Sequence, residues 1–120
     1  MIFGVGCDIV ANDRVKALLQ KNKDAFLKKI FTKKELEAAP VGVKELGYFA
    51  KRYAAKEAAA KALGTGIGVI SFTEIEILND EQGKPICTLL KDEYAHLEAH
   101  VSLSDEESHS LAFIVIESKS

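Results

Sequence analysis

Residues 45–67 read ELGYFAKRYAAKEAAAKALGTGI. Ala fills positions 50, 54, 55, 58, 59, 60 and 62. Such a run predicts a helix over Glu45–Leu63, and Gly64 stands where helices commonly stop. So many small side chains let another element pack close against it. Phe49, Tyr53, Glu57 and Lys61 form one i, i+4 column, with Arg52 and Lys56 in the neighbouring one. Two readings stay open. Glu57 and Lys61 make an exposed helical ion pair contributing about 0.3–0.5 kcal/mol. Alternatively, one carboxylate among Arg52, Lys56 and Lys61 serves a metal ion and several phosphate oxygens.

Outward from this helix, the chain alternates between strand and helix signals. Residues 2–10, IFGVGCDIV, predict a buried strand with glycines where backbone passes closely. Asn12 or Asp13 can cap a helix carrying Val15, Leu18 and Leu19 on one face. Phe26, Leu27, Ile30 and Phe31 continue an apolar stripe, and Thr32 with Glu35 has capping-box spacing before Pro40 and Gly42. Beyond the helix, Phe72–Leu78 alternates as a half-buried strand, NDEQGKP turns, and Ile86–Leu90 returns. Asp92–Glu98 predicts a short helix. Val101–Ser104 and Leu111–Glu117 predict strands joined by the acidic loop DEESHS. The order predicts an α+β fold with a mainly antiparallel sheet.

The 120 residues, 48% of them hydrophobic, fit one domain over residues 1–120 with a modest core. No run approaches the roughly 20 apolar residues of a membrane span. With no basic leader before IFGVGCDIV, and only Cys7 and Cys87, a cytoplasmic setting with reduced thiols is expected. The net charge of −2 conceals a polarity. Residues 1–61 carry 13 Lys and Arg against 7 Asp and Glu; residues 62–120 carry 3 against 11. Arg14 to Lys34 holds eight basic residues and one acid, so either it is a solvated face or it draws an anionic partner. Nucleic acid is not expected, because the acidic half repels phosphate and no binding motif is present.

The remaining motifs are sorted by context. Gly4-Val5-Gly6 lacks the third glycine of a dinucleotide fingerprint, and GTGIG follows a helix instead of opening one. His96, His100 and His109 have no zinc spacing. Asp8 stands out, because a carboxylate at the end of an apolar strand is expensive to bury without a cation or donors. It either caps the next helix or serves a site.

Three blocks then coincide with one family. Gly4-Val5-Gly6-Cys7-Asp8-Ile9-Val10 with Arg14 resembles a G-x-G-x-D-[IL]-[VE] strand and the helix after it. Phe49–Ile67 resembles a W/F-x-x-K-E-A-x-x-K helix with its G-T-G-I tail, and Phe31–Glu35 fits F-T-x-x-E. NDEQGKP and VSLSDEE…LAFIVIE match a later turn and closing strands. The chain resembles the holo-acyl-carrier-protein synthases, the small type of 4′-phosphopantetheinyl transferase. The resemblance implies transfer of phosphopantetheine from coenzyme A to a serine of apo-acyl carrier protein, with release of adenosine 3′,5′-bisphosphate, in fatty acid biosynthesis. It implies Mg2+ held by Asp8 and Glu57, a serine proton taken by Glu57, and a leaving phosphate stabilised by Lys61. Arg52 and Lys56 are then expected at the coenzyme A phosphates, and the loop of Gly64, Thr65 and Gly66 is expected to let backbone approach the nucleotide. Arg14, Lys21 and Lys28 are expected to dock the acidic carrier, and a homotrimer is implied. Asp105, His109 and Ser110 depart from the commoner His, Tyr and smaller residue. That departure keeps a rival in view, a non-catalytic module that binds acidic proteins.

Overall fold

The computed structural model describes residues 1–119. Five strands are present: β1 (Ile2–Ala11), β2 (Ile75–Asn79), β3 (Pro85–Leu89), β4 (Leu97–Asp105) and β5 (His109–Ser118). Four helices are α1 (Asn12–Lys21), α2 (Lys23–Ile30), α3 (Lys33–Ala38) and α4 (Glu45–Leu63). The strands form one antiparallel sheet in the order β1-β5-β4-β3-β2. The fold is α+β, as the pattern predicts.

The Ala-rich segment is the central element. Helix α4 buries Ala50, Ala54, Ala55, Ala58, Ala59 and Ala60, and Gly64 ends it in a left-handed conformation at φ 79°. Its intimacy with β1 depends on two missing side chains. A Cβ on Gly4 would lie 2.0 Å from the Ala62 carbonyl oxygen, and one on Gly6 would lie 2.0 Å from that of Ala58. Two residues along the strand therefore match one turn back along the helix. The fully buried Ala112, Ile114 and Ile116 of β5 pair with Asp8, Gly6 and Gly4, so all of these positions face α4. Thr32 and Glu35 form the expected capping box at the start of α3.

Several expectations are corrected. Phe72–Glu74 is a 3₁₀ turn and not strand, because the Ser71 N–H binds Glu74 Oε1 at 2.8 Å and curls the backbone before β2. Asp92–Tyr94 is likewise a single 3₁₀ turn, and Leu97 already belongs to β4, where it fills the core. Asp8 caps nothing: Ala11 holds the cap position of α1, without a side-chain bond. Asn12 does not cap either. Its amide donates to the Glu106 and Glu107 carbonyls at 3.0 and 3.1 Å and accepts from Ser110 Oγ at 2.7 Å, which fastens the β4–β5 hairpin to the base of α1. The first strand is buried on one side only. Phe3, Val5 and Ile9 of β1 and Leu111 and Phe113 of β5 are exposed on the face away from α4.

Candidate active site at the junction of β1 and α4

Alternation along β1 puts Asp8 on the same side as Gly4 and Gly6, toward α4. Helical periodicity puts Tyr53, Glu57 and Lys61 on the flank of α4 beside it. The two elements meet in an ion pair. Lys61 Nζ donates to Asp8 Oδ1 and to the Cys7 carbonyl, each at 3.0 Å. The hydrogen bond with Asp8, then its charge, and to a lesser degree the charge of Glu57 raise the Lys61 ammonium above its ordinary range. Lys61 is thus an assured cation at neutral pH, and both acids lie within its electrostatic reach.

Tyr53 completes the cluster. Its ring is wedged beside Phe26 and Phe72, at centroid distances of 6.1 and 5.6 Å, with the Arg14 guanidinium 5.9 Å from its centre. Burial first, then the charge of Glu57, pushes the phenol upward; Asp8 adds to this and Arg14 opposes it. Asp8, Arg14, Tyr53, Glu57 and Lys61 therefore form one constellation from β1, α1 and α4. It holds two carboxylates, an exposed ammonium and a phenol. Such a set suits a small divalent cation that keeps waters and shares substrate phosphates.

Other expected site residues go elsewhere. Lys56 is corrected: it is fully buried and donates to Glu35 Oε1 at 2.7 Å, to the Phe72 carbonyl at 2.9 Å and to the Ile75 carbonyl. Arg52 is also corrected as a member of this cluster. It donates to the Ile77 carbonyl at 3.1 Å and to Asn79 Oδ1 at 3.2 Å, and its guanidinium lies 3.8 Å from the Tyr48 ring centre. Both cations fasten the sheet side of α4, because their column is rotated from Glu57 toward β2. Gly64, Thr65 and Gly66 follow Lys61 directly, yet their N–H groups turn back into the helix end, Gly64 to Lys61 and Ala60, Thr65 and Gly66 to Ala60. These glycines serve the turn geometry, with φ 79° and 71°, and no atom would crowd a Cβ on either. Lys21 and Lys28 are exposed on α1 and α2, and only Arg14 of the basic group reaches the cluster.

Tyr53 and Asn12 were not among the expected site residues. Tyr53 had a signal, its place in the column of Glu57. Asn12 had none, because its hairpin partners lie more than 90 residues away. Of the altered hairpin residues, Asp105 pairs with Lys51 at 3.5 Å and His109 Nδ1 lies 2.8 Å from Ser108 Oγ. A second grouping of ligand atoms, Glu98, His100 and Glu117, lies on the far face of the sheet, where His100 is already bound to Glu117 at 2.7 Å. A groove of about 530 Å³ between β3 and β4 includes none of Asp8, Glu57 or Lys61. Among the described residues no helix is long and apolar enough to cross a membrane.

Known proteins resemble this chain in sequence and fold. Residues 4–114 match the model of the 4′-phosphopantetheinyl transferase superfamily. A holo-[acyl-carrier-protein] synthase of Ruthia magnifica is 43% identical, over 99% of either chain. A holo-(acyl-carrier-protein) synthase of Bacillus anthracis, solved in complex with CoA (3′,5′-ADP), superposes with a TM-score of 0.88 at 38% identity and covers 99% of each chain. The Helicobacter pylori holo-[acyl-carrier-protein] synthase in complex with coenzyme A superposes at 0.85 with 28% identity, over 94% of this chain and 99% of that one. With the family model matched over residues 4–114 and these relatives aligned over nearly their whole length, the chain belongs to the 4′-phosphopantetheinyl transferase superfamily, among the enzymes of holo-acyl-carrier-protein synthase type.

Proposed function

We propose that this chain, as a single domain of residues 1–120, transfers the 4′-phosphopantetheine arm of coenzyme A to a serine of apo-acyl carrier protein. The reaction is Mg2+-dependent, occurs in the cytoplasm, releases adenosine 3′,5′-bisphosphate and serves fatty acid biosynthesis. The observation that carries this reading is the meeting of Asp8 with Lys61 beside Glu57, where β1 crosses α4.

The chemistry follows from those side chains. The serine oxygen attacks the phosphorus that bears the pantetheine arm. The bond from that phosphorus to the bridging oxygen breaks, and the bridging oxygen leaves with the adenosine bisphosphate. Glu57 takes the serine proton, directly or through one water. Lys61, exposed and cationic, swings from Asp8 to the departing phosphate and stabilises the charge that develops there. Asp8 and Glu57 would hold the Mg2+, which supplies charge neutralisation on the pyrophosphate. Arg14, on the first turns of α1, receives the acidic carrier next to this point, with Lys21 and Lys28 extending the basic surface.

The uncovered sheet face supports a homotrimer. Phe3, Val5, Ile9, Leu111 and Phe113 lie on paired strands and leave a contiguous apolar surface, which soluble chains usually cover.

The decisive experiment incubates the chain with apo-acyl carrier protein, coenzyme A and Mg2+ and weighs the carrier by mass spectrometry. A phosphopantetheine adduct is expected, and it disappears with EDTA or with Glu57→Gln. A carrier that is bound but unmodified would overturn the reading.

A further inference from the structure

We propose that Asn12, together with Ser110, is a positioning residue: it sets the angle at which α1 leaves β1 and so holds Arg14 where the carrier is received. The inference rests on the transfer reading above, because it concerns carrier docking at Arg14. The first observation is how lightly α1 is anchored. Of its ten residues only Asn12 and Val15 are buried, Leu18 and Leu19 are half-buried, and Ala11 at the cap position makes no side-chain bond. The second is what Asn12 does there. Its N–H donates to the Ser108 carbonyl at 2.9 Å, and its side-chain nitrogen donates to the Glu106 and Glu107 carbonyls at 3.0 and 3.1 Å. Its side-chain oxygen accepts from Ser110 Oγ at 2.7 Å. Asn12 is 7% exposed and Ser110 is fully buried.

A buried amide and a buried hydroxyl are a costly way to fill space, because their hydrogen bonds mostly recover what desolvation takes. Two apolar side chains would pack the same corner. What the polar pair adds is direction. Both side-chain donors of Asn12 and its acceptor are engaged, so one orientation of the amide satisfies them all. The partners are themselves fixed, since the hairpin is laddered to β1 with Val10 opposite Ser110 and Ala11 opposite His109. The first turn of α1 is thus pinned to the sheet at Asn12 and to the core at Val15. Arg14 lies between these two points in sequence, and its guanidinium is 5.9 Å from the centre of the Tyr53 ring on α4, the helix that bears Glu57. A shift of the first turn therefore moves the docking cation relative to the site.

The test is Asn12→Leu with Ser110→Ala in the full chain, which removes the clamp and leaves no polar side chain buried at the corner. Its melting temperature is expected to stay close to the parent's, because both partners are replaced by apolar groups. Amide hydrogen exchange over residues 12–21 is expected to quicken by about tenfold, with α4 unchanged. Fluorescence anisotropy of labelled apo-acyl carrier protein is expected to show binding weakened by about 2- to 5-fold, with KM for coenzyme A unchanged. Arg14→Ala is expected to weaken carrier binding in the parent and to add little in the double variant, a non-additivity that a general loss of stability does not produce. Should the double variant fail to fold, Ser110→Ala alone, which removes one bond, is read the same way. Parent-like exchange in α1, unchanged carrier affinity, or full additivity with Arg14→Ala would each overturn the inference. If the parent binds the carrier and transfers no phosphopantetheine, the transfer reading fails, while exchange and binding still decide the role of Asn12.

Discussion

Lys61 donates to Asp8 Oδ1 at 3.0 Å, so the carboxylate delivered by β1 is held by a cation from α4. The Lys61 side chain is 55% exposed and Asp8 14%, so the pair is a surface one. Exposed pairs contribute about 0.2–1 kcal/mol, and a divalent ion must displace that interaction to use Asp8. Lys61→Met is therefore expected to tighten Mg2+ binding by about 1.5- to 5-fold. The same change is expected to slow transfer by about 100-fold or more, because the leaving phosphate loses its cation. Calorimetric titration and a timed mass-spectrometric assay read the two effects separately. Weaker Mg2+ binding in the variant would show that Lys61 does not compete for Asp8.

Gly6 controls how closely β1 and α4 approach. A Cβ at this position would lie 2.0 Å from the Ala58 carbonyl oxygen and 2.9 Å from the Ala62 nitrogen, both backbone atoms that cannot step aside. Gly6→Ala must separate the two elements, which strips contacts from the core and carries Asp8 away from Lys61. The expected cost is at least about 1–3 kcal/mol, the usual range for overpacking, and the Asp8 site is expected to loosen with it. Urea unfolding of Gly6→Ala checks the first part, and Mg2+ titration of the folded fraction checks the second.

The buried pair of Lys56 and Glu35 joins α4, α3 and β2. Glu35 accepts from Lys56, from the Thr32 N–H at 2.9 Å and from the Ile77 N–H at 2.7 Å, and neither side chain is exposed. Burial depresses the Lys56 ammonium, with the charge and hydrogen bond of Glu35 working against it. Lys56→Met leaves a carboxylate in the core without its cation, and a loss of about 3–5 kcal/mol is expected. Lys56→Met with Glu35→Met is expected to recover part of that loss, because no charge stays buried. Chemical denaturation of the two variants and the parent makes the comparison. A double variant that is less stable than the single would refute this account.

The two cysteines report on opposite sides of the sheet. Burial pushes the Cys87 thiol up to about 12, from an ordinary value of 9.0, so no thiolate is available in the native protein at pH 8. Native Cys87 is expected to resist iodoacetamide at pH 8 and to react only in denaturant. Because its folded value lies above the unfolded one, its contribution to stability is complete below pH 9.0 and is lost as the pH rises toward about 12. Cys7 is exposed and shares the outer face with Val5 and Ile9. It is expected to be labelled in dilute monomer and protected once the chain associates through that face. Labelling followed across protein concentration, alongside light scattering, measures both.

Local signals are legible where neighbours in sequence do the work. The Ala run and Gly64 define α4, and Thr32 with Glu35 caps α3, because both depend on contacts within four residues. The blocks around Asp8 and Glu57 pointed to the family, since motif residues can be recognised before their geometry is known. The neighbouring column of α4 is legible only in three dimensions. Arg52 and Lys56 look like surface cations, and only the sheet packed on that side turns them into buried fasteners for β2. The strand expected over 72–78 begins only at Ile75, because the Glu74 side chain outbids the ladder for the Ser71 N–H.

What the order of residues determined by itself is therefore the long helix α4 with its stop at Gly64, the capped start of α3 and the motifs that mark the family, all of which follow from short-range propensity and side-chain type. The tertiary structure alone decided which cations serve the site and which serve the core, and how Asn12 holds a hairpin far along the chain. The reason is physical. Whether a charge stays in water or is buried depends on what packs over it, and that covering comes from residues distant in sequence.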